Sequence, residues 1–137
     1  MFAIIVGTHG RLAEELLASV DMIFGEVQNT AAVTLLPGEG AADIAAKYEA
    51  ALEKLDTSGG ALFLVDIFGG TPYNAACRIV INNEKYGIVT GASLPMLVDM
   101  ANAQAMDEGT DIRALMEKAA GVGKTGIRLF HTSTVSD

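Results

Sequence analysis

The chain of 137 residues has a single cysteine, Cys77, and no tryptophan. One cysteine cannot form a disulfide within the chain, and it excludes the metal sites that are built from several thiolates. The two histidines, His9 and His131, lie far apart, and neither HxH nor HExxH spacing occurs. We therefore expect no metal site and no cofactor.

Basic residues are also scarce: nine Lys and Arg stand against 17 Asp and Glu, for a net charge of -8. Nucleic-acid binding requires a basic surface, so this class of function is disfavoured. No apolar run approaches the roughly 18 residues that a membrane span needs. The first residues also lack the basic segment of a secretory signal. The sequence therefore predicts a cytoplasmic protein that neither binds nucleic acid nor inserts directly into a membrane.

Half of the residues are hydrophobic, and they fall into short apolar runs that alternate with segments of helical periodicity. This length and composition favour a single domain over residues 1–137. The apolar runs predict strands at residues 2–6, 30–36, 61–65 and 86–90. Helices are predicted at residues 11–24, 41–55, 72–81, 95–105 and 111–120, the last capped by Thr110. In the second of these helices Tyr48 lies on the face that the periodicity predicts to be buried.

This alternation predicts an α/β fold, an open, mainly parallel, doubly wound sheet with helices on both faces. Residues 126–130 look like a final short strand that follows a glycine-rich turn. Because no crossover helix comes after it, we expect this strand at an edge of the sheet.

Polar side chains follow two of the predicted strands: His9 comes after the first and Asp66 after the third. In a 2-1-3-4 strand order these two strands are neighbours, which would bring the Asp66 carboxylate to the His9 imidazole. A carboxylate that binds one ring nitrogen leaves the other with a free lone pair. The pair therefore predicts an oriented histidine nucleophile, although Asp66 could instead cap the turn that follows it.

A candidate anion site surrounds this pair. Gly69 and Gly70 precede a helix for which Thr71 is the predicted N-cap and Pro72 the first residue, and free N–H groups at a helix start favour phosphate. Thr8 and Gly10 flank His9 and are candidates for further contacts to a phosphoryl group. The two glycines could alternatively serve only a tight turn. Together these residues predict a phosphohistidine intermediate, and the absence of a Walker sequence argues against direct use of a nucleotide.

Four motifs resemble the IIA component of the mannose-class sugar phosphotransferase system. They are MFAIIVGTHG at the start, PGE at 37–39, ALFLVDIFGGTPYNAA at 61–76 and LPML at 94–97. The resemblance implies that His9 accepts a phosphoryl group on Nε2 from phospho-HPr and donates it to a IIB component that is linked to membrane IIC and IID components. It assigns Asp66 as the partner of His9 and places Thr71 next to the phosphoryl group. Phe68 occupies a position where some relatives carry Trp.

The same resemblance implies a homodimer in which the last strand, residues 126–130, crosses to the other subunit, where we expect it to pair antiparallel. The chain stops soon after that strand, so a IIB domain is expected to be a separate polypeptide.

Three other functions are compatible with the residues. A regulatory or dihydroxyacetone-kinase-linked relative would use the same histidine. A phosphohydrolase with a histidine nucleophile usually has an arginine directly before that histidine, where this chain has Thr8. A binding module of flavodoxin-like architecture would involve no covalent step. We rank all three below the phosphocarrier.

Overall fold

The sheet is parallel throughout the part of the chain that the computed structural model describes, residues 1–107 and 111–135. Its four strands are β1 (Ala3–His9), β2 (Thr30–Leu35), β3 (Ala61–Val65) and β4 (Tyr86–Val89). They are arranged in the order β2-β1-β3-β4. The predicted strand order is therefore confirmed, and β1 and β3 are neighbours.

Helices cover both faces of this sheet. They are α1 (Leu12–Phe24), α2 (Ala41–Lys54), α3 (Thr71–Val80), α4 (Leu94–Ala105) and α5 (Ile112–Thr125), followed by a short 3-10 turn at Thr132–Thr134. One hydrophobic cluster joins α1, α4 and α5 to the sheet, and a second joins α2 and α3 to its other face. The predicted doubly wound α/β fold is confirmed.

The two central strands are buried on both faces. Ile4 and Val6 of β1 belong to the cluster under α1, α4 and α5, whereas Ile5 and Phe63 belong to the cluster under α2 and α3. Strands packed on both sides carry nearly continuous apolar sequence, which is why β1 and β3 were recognisable. Because both strands are held by the core, the residues at their ends have fixed positions.

The structure extends β1 beyond its predicted end at residue 6. Thr8 and His9 continue the ladder opposite Thr34 and Leu35 of β2. Gly7 lies inside this strand, and a Cβ there would overlap the hydroxyl group of Tyr48. Gly7, which directly follows the predicted strand, thus marks a close contact with α2.

The C-terminal region differs from the prediction. Helix α5 continues to Thr125 rather than ending at residue 120, and residues 126–130 form no strand in this single chain. Gly121 and Gly123 looked like a turn but are helical. A Cβ on Gly123 would lie only 2.9 Å from Met96 Cε, so glycine allows α5 to approach α4 closely. An exchanged strand would need a second chain, so that part stays a prediction.

The start of α5 was predicted to be capped by Thr110, which lies outside the described residues. The N-cap is Asp111, whose side chain accepts a hydrogen bond from the Arg113 N–H at 3.0 Å. A carboxylate at this position satisfies a backbone donor of the first turn and complements the helix dipole.

Candidate active site

His9 and Asp66 meet at the carboxyl end of the two central strands. Gly7 of β1 lies opposite Val65 of β3, so His9 ends its strand beside the residue that follows β3. The distance between His9 Nδ1 and Asp66 Oδ2 is 2.8 Å. The same oxygen accepts the backbone N–H of His9 at 2.9 Å. The contact that the strand order predicted is present.

The Asp66 carboxylate fixes the tautomer of the ring. Its other oxygen, Oδ1, accepts the N–H of Ile67 at 2.9 Å, so both oxygens are engaged. An ionised carboxylate can only accept, and therefore the proton of the neutral ring resides on Nδ1. The lone pair is then on Nε2. The His9 side chain is 45% exposed and that of Asp66 is 12% exposed, so Nε2 belongs to a ring that a partner can reach.

The hydrogen bonds to Asp66 also set its charge. Partial burial raises the pKa of the carboxyl, but the hydrogen bonds from the His9 N–H, the His9 ring and the Ile67 N–H outweigh burial and lower it. The net result is a pKa below the usual 3.8. Asp66 is therefore ionised at neutral pH and can balance a positive charge on the ring.

The N-terminus of α3 lies directly against the imidazole. A Cβ on Gly70 would lie 2.8 Å from His9 Cε1 and 3.4 Å from Nε2. Only glycine lets the backbone come this close to the ring. The first N–H groups of a helix lack partners within the helix. Among the described residues no acceptor is found for the N–H groups of Gly70 and Thr71.

Thr71 is not the N-cap of α3. The N-cap is Gly70, with extended backbone, and Thr71 is the first helical residue. The prediction was wrong because proximity to His9, which sequence spacing does not reveal, places glycine at the cap. Gly69 has φ of 83°, a left-handed conformation that favours glycine, and its carbonyl accepts a hydrogen bond from Asn74 Nδ2 at 3.1 Å. Gly69 and Asn74 thereby hold the loop that leads into α3.

Thr8 and Gly10, the other two candidates, make internal contacts. Thr8 is fully buried, and its hydroxyl accepts the N–H of Ala13 at 2.8 Å, so it caps α1 instead of facing the surface. Gly10 has φ of 60° and donates its N–H to the Leu35 carbonyl at 2.8 Å. Both residues shape the turn after His9, and neither the Thr8 side chain nor the Gly10 N–H is free to bind a phosphoryl group in this conformation.

Comparison with known proteins assigns the chain and its fold to one family. The model of the family described as PTS system fructose IIA component matches residues 3–119. The chain belongs to this IIA family. It is 41% identical over 133 residues to the PTS system mannose-specific EIIAB component of Escherichia coli K12, and 40% identical over 100 residues to the PTS system fructose-specific EIIA component of Bacillus subtilis 168. The resemblance in the sequence is thereby confirmed.

These relatives differ in how much of their length corresponds to this IIA chain. The match covers 97% of the chain but 41% of the E. coli protein, against 73% and 68% for the B. subtilis one. The solved mannose/sorbose specific IIA subunit from Enterococcus faecalis superposes with a TM-score of 0.84 at 28% identity, covering 95% of both chains. The IIA fold thus accounts for nearly all of this chain and for less than half of the E. coli protein.

An aromatic surface lies beside the histidine of this IIA chain. Phe68 is 76% exposed, and its ring packs on that of Tyr73 with centroids 4.9 Å apart. Ile67 is also exposed. Apolar side chains left in solvent next to a reactive group are typical of a surface that contacts another protein.

The PGE motif closes the loop after β2. Glu39 Oε1 accepts the Leu36 N–H at 2.8 Å and Lys47 Nζ at 2.7 Å, and Lys47 also donates to the Thr34 carbonyl at 2.7 Å. The hydrogen bond from Lys47, followed by that from Leu36, lowers the pKa of Glu39. The motif therefore ties this loop to α2.

The hydrogen-bonding role of one residue near the site, Tyr48, was not predicted from the sequence. Tyr48 was predicted only as a buried face residue of α2, yet its hydroxyl donates to the Pro72 carbonyl at 2.8 Å. The available signal was a hydroxyl on an otherwise apolar helix face, because a buried O–H needs an acceptor. The second histidine, His131, makes a local contact: its Nδ1 pairs with Ser133 Oγ at 2.8 Å.

Neither a metal-binding cluster nor a membrane-spanning helix is present in the described ranges 1–107 and 111–135. No cluster of three or more His, Cys, Asp and Glu side chains could hold a metal ion there. None of the helices in these ranges is both long and apolar enough to cross a membrane.

Proposed function

We propose that this protein is a phosphocarrier of the phosphoenolpyruvate-dependent sugar phosphotransferase system. His9 accepts a phosphoryl group from phospho-HPr and donates it to a IIB component that serves the membrane IIC and IID components. The observation that carries the proposal is the contact of His9 Nδ1 with Asp66, which directs the Nε2 lone pair away from the carboxylate. The proposal places the chain in the cytoplasm, where the sequence predicts it to act.

In the proposed transfer, the Nε2 lone pair of His9 attacks phosphorus. A P–N bond to His9 forms while the bond between phosphorus and the donor breaks, and the electron pair of the broken bond leaves with the donor. The proton on Nδ1 stays hydrogen-bonded to Asp66, whose negative charge balances the positive charge of the phosphorylated ring. In the second transfer a nucleophile of the IIB component attacks the same phosphorus, and His9 recovers its lone pair.

The N-terminus of α3 is the proposed support for the phosphoryl oxygens. The N–H groups of Gly70 and Thr71 have no acceptor among the described residues, and they lie at the positive end of the helix dipole beside the ring. Thr71, in the first turn, offers its hydroxyl to the same group. Gly69 contributes the left-handed backbone that aims this turn at His9.

Intact mass after incubation with phosphoenolpyruvate, enzyme I and HPr tests the first transfer. We expect one acid-labile phosphoryl group on the wild type, none on His9→Ala, and a normal adduct on His131→Ala, which removes the other histidine. Adding a IIB component of this class should then discharge the adduct. An adduct that persists in His9→Ala overturns the assignment, as does an unmodified wild type beside phosphorylated HPr. Steady release of inorganic phosphate from a small phosphoester would instead indicate a hydrolase.

We also propose that the protein acts as a homodimer in which residues 126–130 pair with β4 of the partner. Strand β4 is an edge strand, and unpaired edges readily accept another strand. Ile127, Leu129 and Phe130 are 76%, 88% and 83% exposed in the single chain. A groove of about 380 Å³, lined by Phe68, Tyr73, Ile88 and Val89 among others, lies next to β4. Burying the apolar tail along this edge would remove both exposed features.

A further inference from the structure

Tyr48 connects the three elements that build the site. It lies on α2, is fully buried, and packs edge-to-face on Phe63 of β3 with ring centroids 5.2 Å apart. Its hydroxyl passes over Gly7, two residues before His9, where a Cβ would overlap it. The same hydroxyl donates to the carbonyl of Pro72 in the first turn of α3 at 2.8 Å.

The position of this hydroxyl bears on the distance between α3 and His9. A Cβ on Gly70 would lie 2.8 Å from His9 Cε1, and Pro72 follows Gly70 by two residues in the turn that begins with the N–H groups of Gly70 and Thr71. A shift of this turn by a fraction of an ångström would move those N–H groups relative to Nε2. Donors aimed at a transferring group lose much of their effect when misplaced by even about 1 Å.

Burial of a hydroxyl here is not needed for packing alone. Phenylalanine would fill the same apolar space, and a buried hydroxyl is tolerated only when it is hydrogen-bonded. Burial raises the pKa of Tyr48, and the charge of Asp66 raises it further, which keeps the hydroxyl protonated and able to donate.

We infer that Tyr48 is a positioning residue for phosphoryl transfer at His9: its hydrogen bond to the Pro72 carbonyl holds the first turn of α3 where its N–H groups meet the phosphoryl group. This inference rests on the proposed phosphocarrier function. Because Tyr48 is fully buried, it cannot touch either protein partner. Its loss should therefore change the rate of transfer and leave partner affinity unchanged.

The test compares Tyr48→Phe with two control variants in phosphoryl transfer from phospho-HPr. Tyr86→Phe removes a hydroxyl from the same hydrophobic cluster, at a ring whose centroid lies 6.3 Å from that of Phe63. Within the part of the chain that the structure describes, no hydrogen bond joins this hydroxyl to α3. Ile44→Val removes a buried methylene from α2 and reports the effect of lost stability alone. We expect kcat to fall about tenfold in Tyr48→Phe with KM for phospho-HPr unchanged. Both controls should transfer at the wild-type rate.

A second measurement separates this inference from the proposed function. Amide NMR shifts of Gly70 and Thr71 should move in Tyr48→Phe and stay in place in both controls. A wild-type transfer rate in Tyr48→Phe, or a loss equal to that of Ile44→Val, overturns the positioning role while His9 phosphorylation stands. If the wild type accepts no phosphoryl group, the proposed function fails. The role of Tyr48 in phosphoryl transfer then fails with it. Moved Gly70 and Thr71 signals would still show that the Tyr48 hydroxyl positions the first turn of α3, and unmoved signals would overturn that as well.

Discussion

At the scale of single residues, Gly70 is the position where backbone and imidazole compete for the same space. Any side chain on it would push against His9 Cε1, whose ring is half exposed and able to swing away. A methyl group on Gly70 should therefore displace the His9 ring and leave the stability of the fold nearly unchanged.

We expect Gly70→Ala to reduce the rate of His9 phosphorylation by about 100-fold while the free energy of unfolding changes by less than about 1 kcal/mol. Gly40→Ala is the matched control, because Gly40 is also a helix N-cap with extended backbone and a Cβ there meets no atom within 4 Å. Rate measurements with phospho-HPr and urea denaturation give the two readouts. A normal rate in Gly70→Ala would contradict the close approach of α3 to the ring.

Asp66 makes stability depend on pH in a defined direction. Its pKa is lower in the folded chain than the usual 3.8, so the unfolded chain binds more protons between the two values. The contribution of the carboxylate is therefore complete above pH 3.8 and is lost as pH falls through the folded pKa. In urea denaturation, Asp66→Asn should have a lower free energy of unfolding than wild type at neutral pH. This difference should disappear as pH falls through the folded pKa of Asp66. A constant difference between the two proteins at every pH would contradict this account.

At the scale of elements, two adjacent residues at the turn between β1 and α1 differ in role: Thr8 is structural, whereas His9 is the proposed site of chemistry. Thr8 directly precedes His9 in sequence, yet its hydroxyl serves the Ala13 N–H inside the protein. The N-cap residue of α1, Arg11, makes no side-chain capping hydrogen bond. Thr8 thus supplies from the preceding strand the acceptor that the start of α1 lacks.

Replacing Thr8 by Val keeps the shape and removes this acceptor. We expect Thr8→Val to lower the free energy of unfolding by about 1–2 kcal/mol, with phosphoryl transfer kept within a few-fold of wild type. Thr8→Ser, which retains the hydroxyl, should restore most of the stability. Thermal or urea unfolding and the transfer assay check both parts. Loss of transfer in a stably folded Thr8→Val would instead return Thr8 to the phosphoryl site.

The elements that could be predicted from sequence are those specified by local pattern. Strands β1 and β3 are apolar on both faces, and the strand order that this pattern predicts places His9 beside Asp66. The wrong predictions are those in which a tertiary contact determines the local structure. Gly123 is helical because α4 lies against it, and Gly70 rather than Thr71 caps α3 because the imidazole lies beside it. Neither contact leaves a signal in the adjacent sequence.

At the scale of the whole molecule, two surfaces are unusual for an isolated chain with a net charge of -8. One is the aromatic pair of Phe68 and Tyr73 beside His9, and the other is the segment Ile127, Leu129 and Phe130. The groove next to β4 includes Phe68 and Tyr73 in its lining. If residues 126–130 of a partner lie along β4, they therefore border the surface from which His9 is reached. Dimer formation and phosphoryl transfer would then use the same region of the molecule.

This arrangement predicts that a charge in the tail breaks the dimer. We expect the wild type to sediment at twice the 14.3 kDa chain mass and Leu129→Lys to sediment as a monomer. The Leu129→Lys substitution would place a charge in the apolar contact with β4. The free energy needed to desolvate this charge would exceed the stabilisation from strand pairing. Ile81→Lys is the control, because Ile81 is 83% exposed but lies at the end of α3, outside the tail and the groove. A monomeric wild type, or a Leu129→Lys variant that stays dimeric, would show that residues 126–130 do not hold two chains together.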